Sequence, residues 1–455
     1  MITINILWLT KSSLVDTTAK EATKWGMLLI PINGTSPEKL AQMKLFASLP
    51  GNTLHVVTNY ETVNNKECFE FLKTTPFKAI IIDEVHKLKG GANATPTLIW
   101  RNCKALCEHH KTNNGAYPVF LSGSILNNKP EELWSYLNIF NPDQFKNLRD
   151  FQKLFENQTL MEGLGLAPEK LLKMLAPSMI RRRKDEVARE LPDKTILDPT
   201  MLQLDPKSDL YKIHRLLADD LLSEMDALPD DKTITTTSIL AKLTYLRGIL
   251  LAPGYLKWNY YPIDEYGERS QIPEVRHLNF DPPYTKLESL IEQIDDLVFE
   301  GERCVVFSTF NKPLEYLNEF YSSLGIRSAV LKGGSDYGEL QRQFQQGELE
   351  VLLINSQSGS EGLNLHRSNE WKGGASQVVF ADRWWNPERN RQGEDRCYRI
   401  GTLKPVFVRK TYVEGSVDLL IRDIEENKAL VNAGITESTV FRAGTWKEKL
   451  HEYLS

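Results

Sequence analysis

A chain of 455 residues with 41% apolar and 25% charged residues has room for roughly two to four domains and the composition of a folding protein, not of a disordered tail. Lys plus Arg number 55 against 60 Asp plus Glu, and the net charge of −5 excludes a protein held to nucleic acid by bulk charge alone. Five cysteines, Cys68, Cys103, Cys107, Cys304 and Cys397, are too few and too scattered for a disulfide framework and fit a reducing, intracellular compartment. Met1 to Leu9 is apolar but lacks the basic start and cleavage site of a signal peptide, and no run approaches the ~18 apolar residues of a membrane span.

Along the chain, short apolar runs of strand character recur, each followed by a helical pattern: Ile4–Leu9, Leu54–Val57, Ala79–Ile82 and Val119–Leu121. Near-continuous Ile, Val and Leu runs alternating with helices predict parallel strands covered on both faces. Glu131–Arg189 and Ser208–Leu250 carry apolar residues at helical spacing and are expected as helical insertions, whereas Tyr255–Tyr284 has no clear period and is expected as a long loop or linker. A second strand series follows in Cys304–Phe307, Val351–Ile354 and Gln377–Phe380. The expected fold is α/β: a first lobe over 1–195, a helical insertion and linker over 196–284, a second lobe over 285–435 and a tail over 436–455.

Asp83 and Glu84 follow the run Ile80-Ile81-Ile82, at the carboxyl end of a buried strand where open α/β sheets bind ligands. In phosphoryl transfer one such acid orients magnesium and its neighbour polarises the attacking water; an isolated pair could equally cap the following helix. The run Val119-Phe120-Leu121 ends in the small hydroxyl turn Ser122-Gly123-Ser124, in position to sense a phosphate from the adjacent strand end.

The stretch Asp83-Glu84-Val85-His86-Lys87-Leu88-Lys89 resembles a DExH box, and Ser122-Gly123-Ser124 with Glu131–Asn138 resembles motif III and its helix, although the usual proline after the hydroxyl turn is here Ile125. Met179–Val187 followed by Glu190-Leu191-Pro192 is similar to the segment that closes the first lobe in the Swi/Snf-related branch of the superfamily 2 helicases. Lys11-Ser12-Ser13-Leu14 and Thr58-Asn59-Tyr60-Glu61 resemble that family's motifs Ia and Ib.

Pro387 is placed to start a helix on which Gln392, Arg396 and Arg399 would share one face. Gln392–Gly401 resembles motif VI, with Gly393 for the usual alanine and Thr402 for the usual glutamine. Asp382–Pro387 matches the Trp-Asn-Pro element, Ser358–Leu365 resembles motif V, and Phe307–Phe310 and Lys332–Ser335 resemble strand-end elements that touch the DNA backbone.

The resemblance, from about Ile4 to about Lys428, implies two RecA-like lobes, ATP and magnesium as cofactors and double-stranded DNA as partner. It implies catalytic roles for Asp83, Glu84, Arg396 and Arg399, with Asp83 and Glu84 at magnesium. His86, Ser122, Gly123, Ser124, Gly362 and Gln392 are implied at the nucleotide site or in coupling. Lys11, Ser12, Asn59, Thr309, Lys332, Gly333, Asn364 and Trp385 are implied to touch DNA.

A phosphate-gripping loop of the form G-x-x-x-x-G-K-[ST] does not occur in the 455 residues. The expectation is a DNA-translocating ATPase that takes this loop from elsewhere, for example from a separate polypeptide, or, alternatively, a DNA-binding pseudo-ATPase. In the family the segment that carries this loop also contributes an interior strand of the first sheet, and without it an apolar slot is expected there. Cys103 and Cys107, near His109 and His110, lack the paired spacing of zinc ligands.

Overall fold

Apolar runs without polar alternation suit strands covered on both faces, and each falls in a parallel strand in the computed structural model. It describes residues 5–48, 54–93, 95–122, 130–153, 177–180, 182, 184–226, 233–234, 237–251, 254–260, 274–280, 285–357, 362–384, 387–426, 441–442 and 450–454. The described residues up to Ser178 form one unit and those from Met179 a second.

In chain order the first unit comprises β1 Asn5–Thr10, α1 Val15–Lys24, β2 Ile30–Pro31, α2 Ser36–Ser48, β3 His55–Asn59, α3 Lys66–Thr74, β4 Phe77–Ile82, α4 Leu98–Asn114, β5 Tyr117–Phe120, α5 Pro130–Phe140 and α6 Leu148–Gln152. Local chemistry sets the helix ends. The Asn65 side chain accepts from Cys68 N at 3.0 Å to start α3, and Gly115, with φ 61°, closes α4 in the left-handed conformation.

All strands of this unit pair in parallel in the order β2-β3-β1-β4-β5. Register aligns Leu9 with Thr58 and Ile82, and Ile82 with Phe120. Leu7, Leu9, Ile80 and Ile82 are buried on one face, where Phe120 also meets Phe140 with ring centroids 5.9 Å apart. On the opposite face α1 packs Val15 and Ala19 against Val57 and Trp8.

The ladder is continuous, so the expected slot between described strands is absent. Among the described residues no strand pairs with the outer edge of β5. There Tyr117, Val119 and Leu121 are 76%, 41% and 37% exposed. They continue the face of Ala79 and Ile81, which are half-buried.

The second unit contains α7 Lys184–Val187, β6 Lys194–Ile196, β7 Thr200–Leu202, α8 Asp209–Asp226, β8 Thr233–Ile234, α9 Thr237–Ile249, β9 Gly254–Tyr260, β10 Glu274–Phe280, α10 Thr285–Phe299, β11 Cys304–Ser308, α11 Asn311–Ser323, β12 Ser328–Leu331, α12 Tyr337–Gln345, β13 Val351–Asn355, β14 Gln377–Phe380, α13 Pro387–Glu394, β15 Val406–Val413, α14 Val417–Glu426 and β16 Phe441–Arg442. Its main sheet runs β12-β13-β11-β14-β15-β6, also parallel, with β7 paired to β15.

Leu217, Leu221, Leu246, Leu290, Ile294 and Leu420 pack over Val306, Leu353 and Val379 on one face of this sheet. Phe344 and Cys397 cover Phe307, Ile354 and Phe380 on the other. The buried pair Lys286 Nζ and Asp418 Oδ2, 2.5 Å apart, ties α10 to the first turn of α14.

Three expectations change. The first unit ends near Ser178, not at 195, because β6 joins the second sheet and Lys184 bonds the Tyr398 carbonyl at 2.9 Å. Helices α8 and α9, expected as a separate insertion, supply core to the second unit. The stretch expected as a linker carries the antiparallel pair β9 and β10, with Trp258 opposite Arg276. Much of the helical insertion expected over 131–190 lies outside the described residues.

Gly393 sits in the last turn of α13 above Phe307 and Phe380, whose rings stack at 5.3 Å. A Cβ there would meet those rings at 3.5 Å, ordinary contact. Gly393→Ala is therefore expected to stabilise the second unit by about 0.5–1 kcal/mol, read as a rise in its thermal midpoint. A fall would mean that the rings cannot accommodate the methyl.

Candidate functional site

In the first unit the carboxyl ends of β1, β3, β4 and β5 present Lys11 and Ser12, Asn59 and Tyr60, Asp83 and Glu84, and Ser122. Asp83 N bonds Leu9 O at 2.9 Å and Val85 N bonds Leu121 O at 3.0 Å, so the acidic pair is sewn between the ends of β1 and β5. Thr10 Oγ1 donates to Asp83 Oδ2 at 3.1 Å, and Asp83 Oδ1 accepts the Glu84 amide at 3.0 Å. Burial, then the neighbouring Glu84 charge, pushes Asp83 above the usual carboxylate range despite those bonds.

Glu84 has φ 49° and ψ 55°, and among the described residues it is the one non-glycine with positive φ. Its Oε2 lies 3.1 Å from His86 Nδ1. Sequence predicted these residues together. It did not reveal that the Tyr60 hydroxyl, buried behind them, donates to the Asp83 carbonyl.

Asn59 is held from below. Its Oδ1 accepts from Lys39 Nζ at 2.6 Å and from Thr62 Oγ1 at 2.7 Å, which turns the Nδ2 end of the amide away from the lysine. Burial lowers Lys39, although Glu61 favours its charge. Lys39 carried no motif signal; only the fold shows its use. Lys11 precedes a 3-10 turn over Ser12–Leu14, and Ser12 is exposed there. Gly123 and Ser124 lie outside the described residues.

Magnesium takes oxygen ligands from one or two carboxylates and completes its shell with water and phosphate. Asp83 and Glu84, hard oxygen donors at a strand end, fit that requirement. No group of three or more His, Cys, Asp or Glu converges among the described residues. Cys103 and Cys107 are buried, and burial pushes the Cys107 thiol up to about 12.

In the second unit Asp382, at the end of β14, is a hub. It accepts from Ser308 Oγ at 2.6 Å, Thr309 N at 2.9 Å and the Thr309 hydroxyl, and Arg247 of α9 lies 3.5 Å away. Arg247 Nη2 in turn donates to Thr309 Oγ1 at 2.7 Å. Thr309 is thus buried, with its hydroxyl committed inward to Asp382 and Arg247. Lys332 and Gly333 stand in a half-buried to exposed turn, Lys332 Nζ being 2.5 Å from Glu315.

Pro387 starts α13 as predicted, but the helix ends at Glu394. Arg396 N folds back to Gly393 O at 3.1 Å, so Gln392, Arg396 and Arg399 do not share one helical face. Glu394, the last residue of that helix, is buried. Arg383 at 3.1 Å and Lys194 at 3.0 Å pair with it and, against the effect of burial, hold it below its ordinary range. Arg396 is buried, whereas Arg399 is half-buried and donates to Asn364 Oδ1. The departure Thr402 fixes that arginine, its hydroxyl accepting Arg399 N at 2.9 Å.

Gly362 has φ 78°, where a side chain would be strained. Arg389 lies over the Trp384 ring at 5.3 Å, and Asn390 clamps the Trp384 backbone at 2.8 and 2.9 Å; Trp385 lies outside the described residues.

Among curated proteins, the Arabidopsis thaliana chromatin structure-remodeling complex protein SYD is 26% identical over 88% of this chain, which covers 11% of that protein. The Bacillus subtilis putative ATP-dependent helicase/translocase YwqA is 26% identical over 81% of the chain, here 37% of its length. A human SWI/SNF-related matrix-associated actin-dependent regulator of chromatin, subfamily A member 1, is 25% identical over 84%, and the chain covers 34% of it. The chain thus spans well under half of these relatives. Of solved structures, the Sulfolobus solfataricus SWI2/SNF2 ATPase core in complex with dsDNA aligns over 99% of this chain and 86% of that one, with 19% identity and a TM-score of 0.40. The helicase conserved C-terminal domain family matches residues 285–401. The SNF2-related domain family matches residues 6–254, more than half of the sequence, and with the DExH pair and arginine turn in place the chain belongs to that family of helicase-like ATPases.

Proposed function

We propose that this chain is the motor of a DNA-dependent ATPase that translocates on double-stranded DNA, with its phosphate-gripping loop supplied by a further segment, on a longer form of the chain or on a separate polypeptide. The observation that carries the reading is the Asp83-Glu84 pair at the carboxyl end of β4, braced by Thr10, Tyr60 and His86.

ATP with magnesium would supply the phosphoryl group and polarise its oxygens. Asp83 would hold that cation, and its raised protonation range suits a carboxylate that gains its counter-charge on loading. Glu84, oriented by His86, would accept the proton of the attacking water. Arg399 and Arg396 would bind the transferring phosphate, because guanidinium keeps its charge and offers forked donors. Lys11, Ser12, Asn59, Lys332, Gly333 and Asn364 are proposed to contact the DNA backbone, giving salt-sensitive, sequence-tolerant binding.

The open edge of β5 supports the need for a further segment. Leu121 N and O both turn toward β4 and its following turn, so by strand parity Pro118 and Phe120 face outward. An incoming parallel strand would bond both Phe120 groups and the Pro118 carbonyl, while Pro118 has no N–H to give. Its helix would cover Ala79, Ile81 and Val119. The second reading, a pseudo-ATPase that grips duplex DNA, draws support from the lack of the loop within these residues.

Hydrolysis by the purified chain with duplex DNA is expected to be weak. It should be restored by adding a polypeptide that carries one apolar strand, a G-x-x-x-x-G-K-[ST] loop and its helix. Strong turnover by the chain alone, abolished by Glu84→Gln, would remove the need for that segment; no turnover under either condition would favour the pseudo-ATPase.

In the complemented enzyme Glu84→Gln should retain nucleotide binding while turnover falls by orders of magnitude. Unchanged turnover would take Glu84 out of the mechanism.

Arg399→Ala should lower hydrolysis by roughly 10³-fold with duplex affinity nearly intact. The opposite pattern, weak DNA binding with normal turnover, would reassign the arginine to the DNA groove.

A further inference from the structure

We infer that Tyr60 is a positioning residue that transmits DNA contact at Asn59 to the backbone of the catalytic carboxylate Glu84. The inference rests on the function proposed above and adds to it a route between two of its parts.

Asn59 and Tyr60 are adjacent, at the point where β3 passes into a 3-10 turn, yet their side chains serve opposite directions. Asn59 is half-buried at the sheet rim, with its carboxamide oxygen fixed by Lys39 and Thr62. Tyr60 is 3% exposed, and its hydroxyl donates to Asp83 O and lies 3.5 Å from Glu84 O.

Those two carbonyls flank the residue whose backbone is in the left-handed conformation. A glutamate gains nothing locally from that conformation, so its surroundings must impose it. Val85 N, bonded to Leu121 O, pins the peptide on the far side of Glu84. Tyr60 pins the near side. Burial first, then surrounding thiol and carboxylate charge, raises Tyr60 far above its ordinary range, so the hydroxyl remains a proton donor. A small shift of the 59–60 peptide on binding a DNA phosphate is thereby applied, through a rigid ring, to the peptide that aims the Glu84 side chain.

The test uses the full chain and Tyr60→Phe, which keeps the ring and removes the donor. Amide hydrogen exchange is followed over Asp83–His86 and over Lys11–Val15, with and without saturating short duplex DNA. In the parent, duplex should slow exchange in both segments. In Tyr60→Phe, basal exchange over Asp83–His86 should rise by roughly tenfold and its response to DNA should vanish, while Lys11–Val15 stays protected and duplex affinity stays within about twofold. Asn59→Ala, which leaves the hydroxyl in place, should lose the DNA response at Asp83–His86 without the basal rise, and it serves should Tyr60→Phe not fold. A DNA response at Asp83–His86 that survives either substitution overturns the inference. Duplex binding by the parent without any response there overturns it while leaving the proposed function standing; failure of the parent to bind duplex overturns both.

Discussion

A parallel sheet sends every strand's carboxyl end to the same rim, and this constraint places the chemistry of both units. In the first unit, register puts Leu9 level with Ile82, so Thr10 meets Asp83 without any long-range search. In the second, Phe307 lies level with Phe380, and the residues that follow, Ser308 and Thr309 on one strand and Asp382 on the other, are forced into contact. Neither cluster needs an unusual loop. Each follows from ladder register and the order in which the strands are laid down.

Burial sets how firmly those clusters are held. Arg247 and Asp382 are each about as buried as a core leucine, and a charge so placed is tolerated only when its hydrogen bonds are filled. Asp382 collects an amide, two hydroxyls and a guanidinium, while Arg247 also donates to the Arg383 carbonyl at 3.0 Å and lies 5.8 Å from the Trp384 ring. Helix α9 is thereby clamped to the segment that leads into Trp384. Removing either partner would leave the other a buried charge without its counter-ion, which destabilises the clamp.

The strands were legible because unbroken aliphatic runs have few other uses, and Asp83, Glu84 and Pro387 fell where those runs predict. What sequence hid were interactions set by partners far along the chain. Lys39 reads as a wet helical lysine, yet it lies beneath Asn59. Thr309 reads as a strand-end contact, yet the fold turns its hydroxyl inward to Asp382 and Arg247. The i, i+4, i+7 spacing of Gln392, Arg396 and Arg399 looked like one helical face because nothing local announces that Glu394 will be buried between Arg383 and Lys194. The antiparallel pair of β9 and β10 escaped notice because the Pro and Gly residues of the sequence between and around them read as a loop.

The left-handed backbone at Glu84 bears on how this sequence could drift. Such a conformation costs a side-chain-bearing residue roughly 1 kcal/mol or more, whereas glycine adopts it freely. Selection for thermal robustness alone would therefore favour glycine at 84 and discard the carboxylate. Glu84 is the one non-glycine with positive φ among the described residues, so under the function proposed above stability and use would pull against each other at this position.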